Sequence, residues 1–393
     1  MIHTNTRWWI ALVGFLASIA LTHATPVVFA ADPCSNRGPG ANLQGCNLSG
    51  ADFTDTNMTD ANFSNANLSG ANFTNATLTR AIFTNTNLTN AIFFKSKLID
   101  TSLSSATLSG IISGDITLRN TPLPSGWQVI NNYLVGSGAN LQNANLQGGT
   151  FTSLDLNGVD FRRANLSGAK FIATKLQNST LDYANLSNSN FNNAVVSNVS
   201  IDRVTFQGTS MTGLRAKNIS GTPNDFAFGS GRIMYGYVVG PGVNLSGENL
   251  SGLSFAGINF TYANLNGTNL TATNLVGTTL SNATMISATL TAADMSLTIN
   301  ENTNFSSATL DQANLTGAYF NRANLQYASI YSATLATTVL SNADLSNSVL
   351  VGAQIHTSNF SNANLSGIMS AGIERCVDTC LLYTSPSPRD QRG

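Results

Sequence analysis

The sequence predicts an all-β fold: a solenoid of square coils, twenty residues to a coil, in three phased sectors separated by two β-hairpins. Three observations predict it. A large apolar residue returns every five positions, from Leu43, Leu48, Phe53 and Met58 to Leu108, fourteen in succession. A small residue stands two places before it, as in Ala41, Cys46, Ala51, Thr56 and Ala61. Asn, Asp, Ser, Thr and Gly fill the remaining places. A period of five matches neither the helix at 3.6 nor the strand at 2. It matches a chain that turns a corner every five residues, so that four corners close a coil. The large and small residues point inward, and the others make the corners or face out. Stacked coils then pair their backbones about 4.8 Å apart.

The elements follow in chain order. In residues 1–30, Arg7 precedes the apolar run from Trp8 to Leu21, and Val28-Phe29-Ala30 supplies the cleavage positions. This is the layout of a secretory signal peptide cut after Ala30, preferred over an uncleaved membrane anchor because the apolar run is short. Residues 31–40 form an N-terminal cap segment. Cys34 and Cys46 have eleven residues between them where the regular part begins. In an oxidising compartment they are expected to form a disulfide that clamps the first coil. The alternative is that Cys46 only meets the demand for a small inward residue.

Sector 1 covers 41–111, sector 2 covers 139–214 and sector 3 covers 243–368. Sector 2 carries fifteen hits in a row, from Leu141 to Met211. Sector 3 carries twenty-five positions from Leu245 to Leu365 with one miss, Asn300, read as a bulge or as a polar group bonded within the stack. The small-residue rule loosens at Leu154 and Val159, and again at Val243, Glu248, Leu253 and Ile258. Wider or less regular coils are expected there. Together the sectors predict roughly thirteen coils and a rod on the order of 65 Å long.

The joints, 112–138 and 215–242, resemble each other. Ser125 to Gly136, with Trp127 and Tyr133, aligns with Ser230 to Gly240, with Tyr235 and Tyr237, after one gap. Each reads as two short β-rich runs around a tight turn, Asn131-Asn132 or Tyr235-Gly236, hence a hairpin lying across the stack or projecting from it. Function gathers at such interruptions, although a structural spacer is the simpler reading. Leu365-Ser366-Gly367-Ile368 repeats the entry to each joint, so 369–379 reads as the start of a third. The run from Cys380 to Asp390 resembles a translated sequencing-library adapter, with a native Ser-Pro tail as the alternative. Residues 380–393 are therefore expected to be foreign, the native chain longer, and Cys380 no partner for Cys376.

The units Ala-Asn-Leu-Ser-Gly (66–70), Ala-Asn-Phe-Thr-Asn (71–75) and Ala-Asn-Leu-Thr-Gly (313–317) resemble the consensus of the pentapeptide-repeat family. The resemblance implies a right-handed quadrilateral β-helix; the handedness comes from it alone.

Only 9% of the residues are charged, against about 25% in a typical soluble protein. No apolar run beyond residue 30 reaches the roughly 20 residues of a membrane span. Residues 31–380 carry 15 basic and 18 acidic residues, a net of -3, too little to attract nucleic acid. His356 is the only histidine beyond residue 30, at an outward position. No second histidine or cysteine stands at metal-ligand spacing. The carboxylates Asp52, Asp55, Asp60 and Asp344 each have a corner's reason to be there, and no nucleophile or phosphate-loop motif occurs. No catalytic, cofactor or metal residue is therefore predicted. Three functions fit: an exported structural or protein-interaction module, a DNA mimic of the kind with which the family protects topoisomerases, and an ice- or carbohydrate-binding face. The mimic needs a strongly acidic face and access to DNA. The third needs long threonine ladders, but Thr54 over Thr74 and Thr59 over Thr79 are followed by Phe94 and Ile99. An unidentified protein partner fits, no nucleic-acid partner is expected, and no oligomeric state is predicted.

Overall fold

The computed structural model describes residues 32–225, 231–372 and 374–375. The signal-peptide reading, Cys376, Cys380 and the adapter-like tail lie outside these residues.

Each coil pairs in parallel with the coil twenty residues on, through four bridge positions five residues apart: Asn42↔Asn62, Asn47↔Asn67, Asp52↔Asn72 and Asn57↔Thr77. Around each bridge, Leu43 N donates to Asn62 O at 2.8 Å and Asn62 N to Ala41 O at 2.9 Å. Between bridges the chain turns, as where Ala51 N donates to Leu48 O at 3.0 Å. The second corner residue takes the left-handed backbone, φ 57° at Asp55 and 58° at Asn65, which Asn, Asp and Gly adopt most readily. Side chains at the bridge positions cap the following corner: Asp52 Oδ1 accepts from Thr54 N at 2.9 Å, and Asn72 Oδ1 from Thr74 N at 3.0 Å. They also join coils, with Asn67 Nδ2 donating to Asn47 Oδ1 at 3.0 Å and Asn87 Nδ2 to Asn67 Oδ1 at 3.2 Å.

The inward large residues form the core. In sector 1 Phe53 stacks on Phe73 at 4.8 Å and Phe63 on Phe83 at 4.9 Å. The two columns meet edge-on, Phe53 to Phe63 at 5.6 Å. Offset and edge-on contacts are the favoured aromatic geometries.

A short 3-10 turn, Pro33–Ser35, opens the described chain. Among the described residues the backbone pairing lengthens into ten short strands. β1 (Lys97–Ile99) pairs in parallel with β2 (Thr117–Arg119). β3 (Gln128–Ile130) pairs antiparallel with β4 (Tyr133–Val135). β5 (Val195–Ser197) and β6 (Arg215–Lys217) are parallel. β7 (Arg232–Met234) and β8 (Tyr237–Val239) are antiparallel. β9 (Gln354–Ile355) and β10 (Glu374–Arg375) are parallel.

Coil pairing resumes after both joints: Ile112 bridges Asn140, and Asn244 N donates to Leu214 O at 3.0 Å. The large residues at small positions do not disturb the spacing either. Leu154, Val159, Val243 and Ile258 are buried, and the twenty-residue bridges Asp155↔Lys175 and Asn249↔Asn269 form beside them. Glu248 and Leu253, the other two residues at small positions, are only half-buried. Asn300 causes no bulge: its N donates to Tyr319 O at 2.7 Å, and its Nδ2 donates to Thr298 Oγ1 at 2.8 Å.

Candidate functional site

Cys34 and Cys46 are joined by a disulfide with their Cα atoms 5.7 Å apart. It fixes the cap segment to the first coil. Arg37 lies over this end, its guanidinium 4.8 Å from the Phe53 ring centre.

At the first joint the chain turns through Asn131 and Asn132, at φ 49° and 63°, the pair of positive values a tight two-residue hairpin requires. The hairpin lies across the coil. At its tip, Asn131 Nδ2 donates to Gln147 O at 3.1 Å, and Ile116 N donates to Asn132 O at 3.3 Å. Leu134 N donates to Ser113 Oγ at 2.8 Å, and Asn145 N to the Tyr133 hydroxyl at 3.2 Å. A Cβ on Gly136 would stand 2.4 Å from the Trp127 ring, so glycine lets that indole lie flat on the backbone. Leu134 packs in the core of sector 1, Ile130 and Val135 pack in the core of the later sectors, and Trp127 touches both.

The second joint repeats the plan with different chemistry. Its turn residues are Tyr235 and Gly236, at φ 54° and 77°. Ile219 N donates to Gly236 O at 2.9 Å, as Ile116 does to Asn132. Tyr235 meets Phe255 edge-on at 5.7 Å, yet remains exposed. Tyr237 reaches inward to Glu248. Burial, then the Glu248 charge and the hydrogen bond to it, hold the Tyr237 hydroxyl above its ordinary value. Arg215 Nη2 and Lys217 Nζ lie 3.7 and 3.6 Å from Glu248 Oε1. The sequence marked Glu248 as a misfit and named the tyrosine. It gave no sign of the two cations, which meet Glu248 only through the joint.

On the outer faces most polar side chains are engaged locally. The Thr54 and Thr74 hydroxyls donate to Asp52 and Asn72 at 2.6 Å each, and Thr59 to Asn57 at 2.7 Å. One side of sector 3 differs. Ile299, Tyr319 and Val339 stack there through parallel bridges, with Leu297 beside them. Leu297, Ile299 and Tyr319 are 60%, 43% and 49% exposed. His356 is half-buried at a corner. Among the described residues no three His, Cys, Asp or Glu side chains gather as metal ligands, and no helix is long and apolar enough to cross a membrane.

Eight copies of the profile for pentapeptide repeats match the sequence, at residues 40–75, 71–110, 137–171, 169–208, 242–275, 263–299, 301–336 and 328–367. The chain belongs to the pentapeptide-repeat family. Members are generally non-catalytic structural or binding proteins. Among solved structures, the plasmid-mediated fluoroquinolone resistance protein QnrB1 is similar at 18% identity over 45% of this chain and 88% of its own, with a TM-score of 0.24. HetL of the cyanobacterium Nostoc sp. strain PCC 7120, involved in heterocyst differentiation regulation, is 17% identical over 84% of this chain and 86% of its own, TM-score 0.13. Rfr23 of the cyanobacterium Cyanothece 51142 is 28% identical over 34% and 88%, TM-score 0.14. No curated protein matches the sequence.

Proposed function

We propose that this pentapeptide-repeat chain is an exported, non-catalytic interaction rod, its right-handed quadrilateral coils presenting one apolar stripe to a protein partner. The stripe of Leu297, Ile299, Tyr319 and Val339 carries the reading. It interrupts a column that holds Asn259 and Thr279 before it and Asn359 after it. Neighbouring exposed apolar side chains on successive coils mark an interaction face, and tyrosine is enriched in such faces. The Cys34–Cys46 disulfide supports an oxidising compartment, and with it residues 1–30 as a cleaved leader.

The alternatives find less support. The sector 3 carboxylates form no continuous row: Asp294 stands in a column with Asn274 and Asn314, Asp344 in another with Asn324 and Asn364. A DNA mimic needs such a row. The threonine hydroxyls that an ice- or sugar-binding face would present are turned to their own corners.

The test is a photoreactive side chain placed at Tyr319, with a second at Asn274 on another side as control. A discrete adduct in the native host at the first position only is the expected result. Equal labelling at both positions, or none, sinks the interaction reading. Recovery of the full-length chain in the cytosol with residues 1–30 attached sinks export.

A further inference from the structure

The two joints share one backbone plan, so each acts as a control for the other. Asn140 N donates to Ile111 O at 3.0 Å, as Asn244 does to Leu214. With the shared bonds at the hairpin tips, this makes Ile112, Gly114 and Ala144 the counterparts of Arg215, Lys217 and Glu248. Phe94 likewise corresponds to Ser197. The first joint is apolar and closed: a Cβ on Gly114 would stand 2.9 Å from the Tyr133 ring and 3.3 Å from Phe94. The second carries two cations and a carboxylate around a cavity of about 220 Å³, which Gln177, Ser197 and Asn244 also line. Ala216 lines it too, at an inward position whose counterpart in the first joint, Ser113, is also small. The hairpin evidently needs none of these charges, because the first joint is built without them.

The two cations pair with Glu248 only at long range. The cations stand 3.6 to 3.7 Å from Glu248, whereas charge-assisted hydrogen bonds close to about 2.7–2.9 Å. Arg215 makes one long contact, 3.4 Å to Ser246 O. Both heads are about half exposed, at 47% and 51%, while the Glu248 side chain is 16% exposed. One arginine, one lysine and one glutamate leave a single positive charge beside a cavity of mixed polar and apolar lining.

We infer that the second joint is a binding site for a small oxyanion, a carboxylate or phosphate monoanion, held between Arg215 and Lys217 with Ser197 and Gln177 as neutral partners. The planar guanidinium suits a two-oxygen group, and the ammonium supplies a point charge. Glu248 sets the strength: it repels the ligand and holds both cations at the cavity.

The test is calorimetric titration of the full chain with sodium acetate and with sodium phosphate, at constant ionic strength, with glucose as a neutral control. One or both anions should bind with a dissociation constant of about 1 mM or tighter, and glucose should not. Which anion binds separates carboxylate from phosphate chemistry. Arg215→Gln with Lys217→Gln should weaken binding at least about tenfold. Glu248→Gln should tighten it severalfold, an effect that loss of folding does not produce. Binding by neither anion at about ten times that concentration, undiminished binding in the double variant, or weaker binding in Glu248→Gln would overturn the site.

Discussion

At the scale of single residues, the interior is stricter about hydrogen bonds than about polarity. Inward threonines are common because the coil below offers many of them an acceptor. Thr86, Thr174 and Thr303 donate to the carbonyls of Phe63, Phe151 and Leu280, each 23 residues earlier, at 2.7, 2.7 and 2.6 Å. That partner was hidden in the sequence, which showed a small residue and not the coil beneath it. Thr278 Oγ1 and Asn300 Oδ1 break the rule, and the asparagine does so at a position meant for a large apolar side chain. Asn300 is fully buried, on the same side as Leu280 and Phe320, and among the described residues its Oδ1 has no partner. A buried unsatisfied acceptor costs about 1–3 kcal/mol. Asn300→Leu should therefore raise the unfolding free energy by about that amount in denaturant titration. Thr298 keeps its bond to Met295 O at 2.8 Å, so the change leaves no new orphan. Ionisable residues make a second prediction. Burial raises the Asp160 and Asp344 carboxyls, but Arg162 at the first, and Ser346, Gln326 and Asn364 at the second, bring both below the ordinary value. A depressed folded value stabilises above the unfolded value, near pH 3.9, and is lost as pH falls through the folded one. The melting temperature should hold above about pH 5 and fall below about pH 4, and Asp160→Asn should flatten that acid limb.

At the scale of elements, the repeat was legible because one rule recurs along the whole stack. A large apolar residue every five positions fixes which side chains enter the core. The joints were legible only as hairpins. Their direction depends on contacts such as Asn131 with Gln147, across the coil and beyond any local pattern. The charged second joint was less legible still, since Arg215 and Lys217 reach Glu248 from 33 and 31 residues away. The N-terminal clamp, by contrast, was visible as two cysteines, one in the cap segment and one in the first coil. Closing a loop of this size contributes about 3 kcal/mol. In a solenoid that effect stays near the cross-link, because each coil touches only its neighbours. Cys34→Ser should speed amide exchange at Leu43, Cys46 and Leu48 and leave exchange around Phe305 unchanged. Uniform acceleration along the chain would show that the clamp holds the whole rod.

At the scale of the whole molecule, the first hairpin divides the apolar interior. Consecutive strand residues point to opposite faces, so a hairpin laid across the stack serves two cores: Leu134 enters one and Val135 the other. The second hairpin makes no such division, since Val238 and Val239 share a core with residues of both sectors 2 and 3. Cooperativity in repeat proteins runs through neighbour interfaces, and elements with fewer shared contacts open as separate units. The rod should therefore unfold in two steps, sector 1 apart from sectors 2 and 3. Phe63 and Phe305 report on them, each fully buried in its own core. Phe63→Ala should destabilise one transition by about 3–5 kcal/mol and Phe305→Ala the other by a similar amount. Backbone bonds such as Gly110 N to Gly138 O at 2.7 Å, and Trp127 against both cores, are what couple the two units. Trp127→Ala should accordingly widen the separation between the transitions in a denaturant titration followed by far-ultraviolet circular dichroism. A single transition that both phenylalanine variants move together would mean that this coupling exceeds the partition, and that the rod folds as one body.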